Sequence, residues 1–359
     1  MPIFDQGYQH WQGKLAGHAW RWLAITRQGV RAQLKNRWTR LVLGFACAPA
    51  LALAAVLILW GLIEQKSNLV APLLRLFNDW PELQEGPRAF RLTIWTIAYQ
   101  FFFNIQMFFS MLLVLLVGPN LISQDLRFNA LPLYFSRPLR RIDYFAGKLG
   151  VIAVFLGAVA VVPAVFAYLL GVGFSLDAGV VPDTFRLLIA AVVSGLVVVL
   201  SAGTLMLALS SLSRNSRYVG AMWVGLWFVS GGVAGVLVGT VGADWCALVS
   251  YTANLQRIEQ VLLDTDSAWQ QIEGLIQNAR QRTGAGPFVG PRRMAREGPG
   301  SGRAPQPQRP DGNQQARPVT TDLAGFHYPW YWSAGVLAGL LGISLWTLTF
   351  RVKSLDRLK

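Results

Sequence analysis

Six stretches of the sequence are each long enough and apolar enough to cross a lipid bilayer, a crossing that takes about 20 mainly apolar residues in a helix. They are Leu41–Ile63, Thr93–Val117, Leu149–Val172, Phe185–Leu209, Tyr218–Val241 and Tyr331–Phe350. No charge lies well inside any of them, and Arg186 lies only at the edge of the fourth. Charged residues make up 14% of the chain, against about 25% in a soluble domain. The sequence therefore predicts an all-α integral membrane protein with six transmembrane helices.

Lysine and arginine are concentrated on one side of these predicted spans. The short segments 1–40, 118–149, 211–217 and 351–359 are rich in basic residues, whereas the short segments on the other side carry slightly more acidic than basic residues. Because basic loops stay in the cytoplasm, we expect both termini to be cytoplasmic and the chain to cross the bacterial cytoplasmic (inner) membrane several times. The net charge of +14 is then mostly a topology signal, so nucleic acid is not an expected partner.

These assignments divide the chain into four parts. Residues 1–40 form the cytoplasmic N-terminus, residues 41–242 carry transmembrane helices 1–5, residues 243–329 form a large extracytoplasmic loop, and residues 330–359 carry helix 6 and a cytoplasmic tail. A cytoplasmic loop at residues 118–149 interrupts the second part.

The N-terminal part contains a basic amphipathic pattern over residues 14–40. Trp22 and Trp38 fall near one face, and Arg27 and Arg31 fall on another. This pattern is typical of a helix that lies in the membrane interface, with tryptophan toward the acyl chains and arginine toward phosphate. The alternative is a solvated basic segment that only sets topology.

The large outer loop has two unlike halves. Apolar residues recur at helical spacing over 253–282, which predicts helix. Residues 283–318 are rich in Gly, Pro, Gln and Arg and cannot bury a core, so we expect them to be disordered.

Motifs for nucleotide or metal chemistry are absent from the sequence. The Gly-Lys pairs at Gly13–Lys14 and Gly147–Lys148 are each followed by Leu and lack the preceding glycine of a phosphate-binding loop. Three scattered histidines and two distant cysteines predict no metal site. We therefore expect a chain that is not an enzyme and binds no cofactor of its own.

Polar side chains within the second predicted span have two interpretations. Gln100, Asn104, Gln106 and Ser110 all lie in this apolar run. They are candidates for lining a translocation path, and equally for hydrogen bonds between helices.

Glycines recur every four residues in the fifth predicted span, at Gly231, Gly235 and Gly239. Small residues at this spacing allow two helices to approach closely. The pattern fits packing within one subunit and packing across a dimer.

The loop between the second and third spans resembles the cytoplasmic loop of type 2 ABC transporter permeases, the membrane subunits of ABC exporters. That family has an Ile-x-x-Asp/Glu segment, then Ser-x-Pro-x-x-Arg, an aromatic or aliphatic pair, and Gly-Lys at the start of the third span. The matching residues here are Ile122, Asp125, Leu131, Ser136, Pro138, Arg141, Tyr144, Phe145, Gly147 and Lys148. The layout of six spans and an enlarged loop before the last one is also similar.

The resemblance implies that this loop contains a helix that docks on a separate ATPase subunit. The contact would centre on the segment from Ser123 to Tyr134. Asp125 and Arg127 would be its polar contacts, and Phe128 and Leu131 its apolar contacts. The family layout further implies a second contact at the short loop 211–217, which contains Arg214, and a position by the inner leaflet for Arg137, Arg140, Arg141 and Lys148. The alternative for the arginines is that they only set topology and bind lipid phosphate.

The function that follows is the transmembrane permease subunit of an ATP-driven ABC exporter. The implied partners are an ATPase subunit, which would carry ATP and Mg²⁺, and a second permease subunit in a homodimer or heterodimer. The alternative is a non-transporting membrane scaffold that anchors a complex through the same cytoplasmic loop and the outer segment. An ion-coupled carrier is disfavoured, because such carriers usually hold ionisable residues inside their spans.

Overall fold

Residues 20–67, 86–131, 134, 139–175, 177, 179–283 and 328–356 are described by a computed structural model of the chain. The α-helices of the first half are α1 (Arg21–Leu34), α2 (Arg37–Phe45), α3 (Cys47–Glu64), α4 (Arg91–Val117), α5 (Pro119–Arg127), α6 (Arg141–Leu156) and α7 (Val162–Ser175). Those of the second half are α8 (Val180–Leu212), α9 (Ser216–Val224), α10 (Ser230–Val241), α11 (Tyr251–Leu263), α12 (Thr265–Thr283) and α13 (Trp330–Asp356). Short π-helical turns at Gly157–Val161 and Gly225–Val229 join α6 to α7 and α9 to α10.

The prediction of an all-α protein with six membrane-spanning helices is confirmed. The six spans are Arg37–Glu64, Pro87–Arg127, Arg141–Ser175, Val180–Leu212, Ser216–Val241 and Trp330–Phe350. The second, third and fourth spans contain 41, 35 and 33 residues, whereas a bilayer core takes about 20. These three spans therefore continue well past the apolar runs that define them.

The second and fourth spans form the centre of the bundle, and the fifth and sixth lie mostly exposed at its side. One core cluster contains Met111, Ile152, Met206 and Trp223, all with almost no exposed surface. The Nε1–H of Trp223 donates to the Met111 carbonyl oxygen at 3.1 Å. The fifth span is thereby attached to the second at one level of the bundle.

The N-terminal helix α1 packs against the start of the third span. The Thr26 hydroxyl donates to the Gly147 carbonyl oxygen at 3.0 Å, and a Cβ at Gly147 would lie 2.7 Å from Ile25. Trp20 and Leu23 stay exposed. The structure divides the segment predicted as one helix over 14–40 into α1 and α2 at Lys35–Asn36, where the Asn36 side chain caps α2; residues 14–19 lie outside the described residues.

The segment after the fifth span folds back against the bundle. Gly242 has φ +70°, and a 3₁₀ helix, Asp244–Val249, then runs back along the fifth span to α11. The Tyr251 and Ser201 hydroxyls lie 2.8 Å apart, so α11 starts at a level inside the apolar run of the fourth span. The helix predicted over 253–282 is divided between α11 and α12 at Asp264, which has φ +56°.

Candidate functional site

The short helix α5 is fixed firmly to the fourth span on one face. The Ser210 hydroxyl accepts the backbone N–H groups of Ile122 and Ser123 at 3.1 and 3.0 Å and donates to the Pro119 carbonyl oxygen at 3.0 Å. A Cβ at Gly118 would overlap Met206, so the turn into α5 needs glycine at this close approach. Movement of α5 must therefore be shared with the fourth span.

Ser123, a predicted ATPase contact, lies inside this joint. Its side chain is fully buried, and its hydroxyl lies 2.7 Å from that of Ser216 at the start of the fifth span. It also donates to the Pro119 carbonyl oxygen. Ser123 thus connects α5 to the fifth span and has no surface to offer a partner in this conformation.

Asp125, a second predicted contact, is engaged within the chain. Its carboxylate lies 2.7 Å from Nζ of Lys148 and accepts the hydroxyl of Tyr144 at 2.6 Å. The Lys148 ammonium also stands 5.9 Å from the ring centroid of Tyr134. Burial, and then the charge of Asp125, raise the pKa of the Tyr134 phenol, which keeps it neutral. Asp125 is therefore a tie between α5 and the third span.

The end of α5 is the part that faces outward. Phe128 is 72% exposed, and the guanidinium of Arg127 lies 5.6 Å from its ring centroid. Asn129 has φ +48°, a left-handed turn that ends the helix and leaves both side chains at its tip. Leu131 is buried, and Arg137 lies outside the described residues.

A basic cleft opens beside this tip, and we call it the three-arginine cleft. Its cavity of about 500 Å³ is lined by Arg127, Arg214, Asn215 and Arg217. The Asn215 side chain accepts the backbone N–H of Arg217 at 3.0 Å and so caps α9. Two segments distant in sequence, the end of α5 and the turn between the fourth and fifth spans, thus present their arginines to one space.

The candidate path residues of the second span fall into two groups. Gln100 accepts the indole N–H of Trp269 at 2.7 Å, and Asn104 accepts from the Gln256 amide at 3.3 Å; both contacts are with the folded-back segment. Gln106 and Ser110 are buried. Within the described residues, neither polar atom of the Gln106 amide has a hydrogen-bond partner.

The glycines of the fifth span lie on an open surface. A Cβ at Gly231 would come no closer than 3.9 Å to Ser250, and Cβ atoms at Gly235 and Gly239 would meet no atom within 4 Å. Gly235 and Gly239 are therefore exposed with open space beside them, whereas Gly231 is partly buried near Ser250.

A buried ion-pair network at the opposite ends of the spans was not predicted from the sequence. Arg91, with a side chain 3% exposed, lies 2.7 Å from Glu64, 2.8 Å from Asp177 and 3.0 Å from Asp183. Glu64 ends the first span and Arg91 lies near the start of the second. Asp177 lies between the third and fourth spans, and Asp183 lies in the first turn of the fourth. The hydrogen bond from Arg91, followed by that from the Gly179 N–H, lowers the pKa of Asp177. The signal available in the sequence was one arginine and three carboxylates at four neighbouring span ends.

The described residues contain no group of three or more His, Cys, Asp or Glu side chains placed to hold a metal ion. Glu64, Asp177 and Asp183 converge instead on the guanidinium of Arg91. At these span ends the three carboxylates are therefore paired with a guanidinium group.

A comparison with protein families identifies the family of this chain. A family model described as ABC-2 family transporter protein matches residues 23–280. The chain belongs to this ABC-2 family. The match runs from α1 through the fold-back segment and includes α5 and the three-arginine cleft. A comparison with curated proteins finds no significant match.

Membership of the ABC-2 family makes the chain the permease subunit of an ABC transporter, a multi-pass membrane protein. The family is a transport permease domain and not a nucleotide-binding domain. Membership of this family implies an ABC ATPase as partner and a location in a membrane. The prediction of a type 2 ABC permease is confirmed.

Proposed function

We propose that this permease belongs to an ATP-driven exporter and is coupled to a separate ATPase subunit through the tip of α5. The observation that carries the proposal is the two-sided character of α5. One side is tied by Ser123 and Asp125 to the third, fourth and fifth spans, and the other exposes Arg127 and Phe128. A partner that pushes on the tip must displace those spans.

The proposed orientation places this tip and both termini in the cytoplasm of a bacterial cell, where ATP and Mg²⁺ would bind the ATPase subunit. The basic character of the tip supports this placement, because basic loops stay in the cytoplasm. The exporting direction rests on the resemblance of residues 118–149 to the loop of ABC exporters.

Two permease subunits, identical or homologous, would complete the transporter. The open glycine surface of the fifth span supports a contact there with the second subunit, since small residues allow close helix approach. Gln106 and Ser110 are the remaining candidates for a polar path within the bundle.

The coupling proposal is tested by copurification with the ATPase and by ATP turnover. Phe128→Ser should reduce ATPase retention and remove stimulation of ATP hydrolysis by the permease, while leaving the Tm of the permease unchanged, because Phe128 is exposed. Ile142→Ser is a matched control. Ile142 is 77% exposed and lies about 200° around α6 from Tyr144, which faces α5.

Wild-type permease that retains no P-loop ATPase would contradict the proposed function. ATP turnover that is indifferent to Phe128→Ser, with the ATPase still bound, would favour a non-transporting scaffold.

A further inference from the structure

A small cleft lies at the end of the bundle opposite α5, and we call it the mixed-charge cleft. Its cavity of about 100 Å³ opens between the starts of the second and fourth spans and the turn from α11 to α12. Charged side chains of both signs line it, namely Arg186, Asp183 and Asp264. Opposite charges around one space suit a ligand that carries both charges itself.

Two of these charges have no counter-ion among the described residues. Arg186 forms no ion pair with a carboxylate in the described ranges, and Asp264 forms none with a cation there. The Asp264 carboxylate accepts the hydroxyl of Ser267. Asp183 pairs with Arg91, yet its side chain remains 59% exposed. The cleft thus offers a guanidinium and two carboxylates to a ligand.

The cleft lies where the hydrocarbon core of the membrane begins. The apolar run of the fourth span starts at Phe185, beside Arg186, and that of the second span starts at Thr93, which also lines the cleft. Lipid phosphates lie just outside the hydrocarbon edge, in the headgroup layer. A guanidinium at this height reaches phosphate without leaving its helix.

An exposed apolar stripe runs from the cleft along the fourth span, and we call it the fourth-span stripe. Ile189, Val193, Leu196 and Leu200 follow Arg186 at spacings of three and four residues, so they share its face of the helix. All four are 36% to 49% exposed. The stripe descends about 21 Å below Arg186, and one leaflet of the hydrocarbon core is about 15 Å deep. An acyl chain can therefore lie along it.

The charges of the cleft select one kind of headgroup. A phosphate forms paired hydrogen bonds with a guanidinium, and a primary ammonium carries three N–H donors for carboxylates. Phosphatidylethanolamine has both groups. The headgroup of phosphatidylcholine has no N–H donor, and that of phosphatidylglycerol has no cation to place beside Asp264.

We propose that the mixed-charge cleft binds the headgroup of a phosphatidylethanolamine molecule, whose acyl chain lies along the fourth-span stripe. Arg186 holds the phosphate, and Asp264 and Asp183 hold the ammonium. Because these side chains come from the fourth span and from the turn after α11, the lipid connects the folded-back segment to the bundle. The inference is independent of the ATPase coupling proposed above.

The test compares two double variants that each remove one charge of either sign. Arg186→Gln/Asp264→Asn alters the cleft, and asparagine both tolerates the left-handed turn and caps a helix. The control is Arg88→Gln/Glu273→Gln, because Arg88 is 70% exposed and Glu273 partly exposed, and neither lines the cleft. Each permease is stripped of lipid in detergent and mixed with equal amounts of palmitoyl-oleoyl phosphatidylethanolamine, phosphatidylglycerol and phosphatidylcholine. Native mass spectrometry then counts each bound lipid.

We expect wild type to bind phosphatidylethanolamine in preference to the other two lipids. The cleft variant should bind it about tenfold more weakly, because each exposed pair contributes roughly a two- to fivefold factor. The control variant should behave as wild type, and all three proteins should have the same Tm without lipid. Asp264→Asn alone should weaken phosphatidylethanolamine only, whereas Arg186→Gln alone should weaken phosphatidylglycerol as well.

Equal binding of phosphatidylethanolamine by the two double variants would overturn the inference. A preference for phosphatidylglycerol that Arg186→Gln removes and Asp264→Asn leaves intact would reduce the cleft to a general anion site, and would also overturn it. Glycerophosphoethanolamine, the headgroup without acyl chains, should fail to compete at the same concentration. Full competition would show that the stripe contributes nothing, and would exclude a lipid as the ligand. Each of these results is separate from ATPase retention.

Discussion

The carboxylate of Asp125 lies 2.7 Å from the ammonium group of Lys148, and both side chains are largely buried, at 15% and 11% exposed. This ion pair joins α5 to the third span. Asp125, which the family resemblance implies as a polar contact with the ATPase subunit, is thus paired within the permease itself.

Removal of either charge should destabilise the isolated permease. Asp125→Asn leaves the Lys148 ammonium without its carboxylate, and we expect a loss of about 3 kcal/mol, since breaking a buried pair costs 3–5 kcal/mol. The measurement is thermal unfolding in detergent without ATPase. Asp125→Asn/Lys148→Met should recover most of the loss; an unchanged Tm in the single variant would show that Asp125 acts only on a partner.

Arg91→Met should destabilise the opposite ends of the bundle by about 3–5 kcal/mol, because it leaves the carboxylate of Glu64, 3% exposed, without a cation. Arg88→Met is the matched control. Its side chain is 70% exposed and 3.7 Å from Asp177, so a change within about 0.5 kcal/mol is expected. Similar Tm values for the two variants would contradict the role of Arg91 as the centre of the network.

Low pH should weaken the same ion-pair network, because Asp177 becomes protonated. The pKa of Asp177 is lowered in the folded chain, so its contribution to stability is present above the ordinary pKa of about 3.9 and is lost as the pH falls through the lowered value. Unfolding followed from pH 6 to pH 3 should therefore show a steeper loss of stability in wild type than in Asp177→Asn. Parallel curves would exclude this contribution.

The two buried glutamines of the second span should respond in opposite ways to leucine. Gln100→Leu leaves the Trp269 indole N–H unpaired and should cost about 1–3 kcal/mol, a loss that Trp269→Phe in the same chain should reduce. Gln106→Leu removes an amide without a hydrogen-bond partner in the described residues and should be neutral or stabilising. If Gln106→Leu nonetheless abolishes transport in proteoliposomes at unchanged Tm, its amide serves the path.

A large side chain on the open glycine surface should affect assembly and not folding. A Cβ at Gly235 would meet no atom within 4 Å, so in Gly235→Leu the Tm of the monomer in detergent should stay unchanged while the dimer fraction in light scattering falls. Gly203→Leu is the contrasting variant, because a Cβ there already lies 2.6 Å from Leu149 and should lower the Tm. An unaltered dimer fraction in Gly235→Leu would place the subunit contact elsewhere.

The spans were predictable because apolar length is a property of each segment alone. The pairing of side chains between different segments could not be predicted in this way. Asp125 and Lys148 are 23 positions apart, and only the turn after α5 brings them together. The inner-loop motif predicted a coupling element but did not show which of its side chains, such as Ser123, form internal hydrogen bonds.

The fold-back of α11 was missed for a related reason. Its polar residues, among them Gln256 and Arg257, read as those of a helix in water. They are accommodated by the bundle because Arg257 donates to the Tyr328 carbonyl oxygen at 2.9 Å and Gln256 reaches Asn104. Hydropathy measures the segment by itself and does not register partners supplied by other helices.

The excess length of the second, third and fourth spans has a consequence for assembly. On the proposed orientation these ends lie in the cytoplasm, and a partner that binds the exposed Arg127 and Phe128 there needs no apolar belt of its own. Such a subunit can be synthesised as an ordinary soluble protein, join the permease after membrane insertion, and be exchanged without disturbing the bilayer.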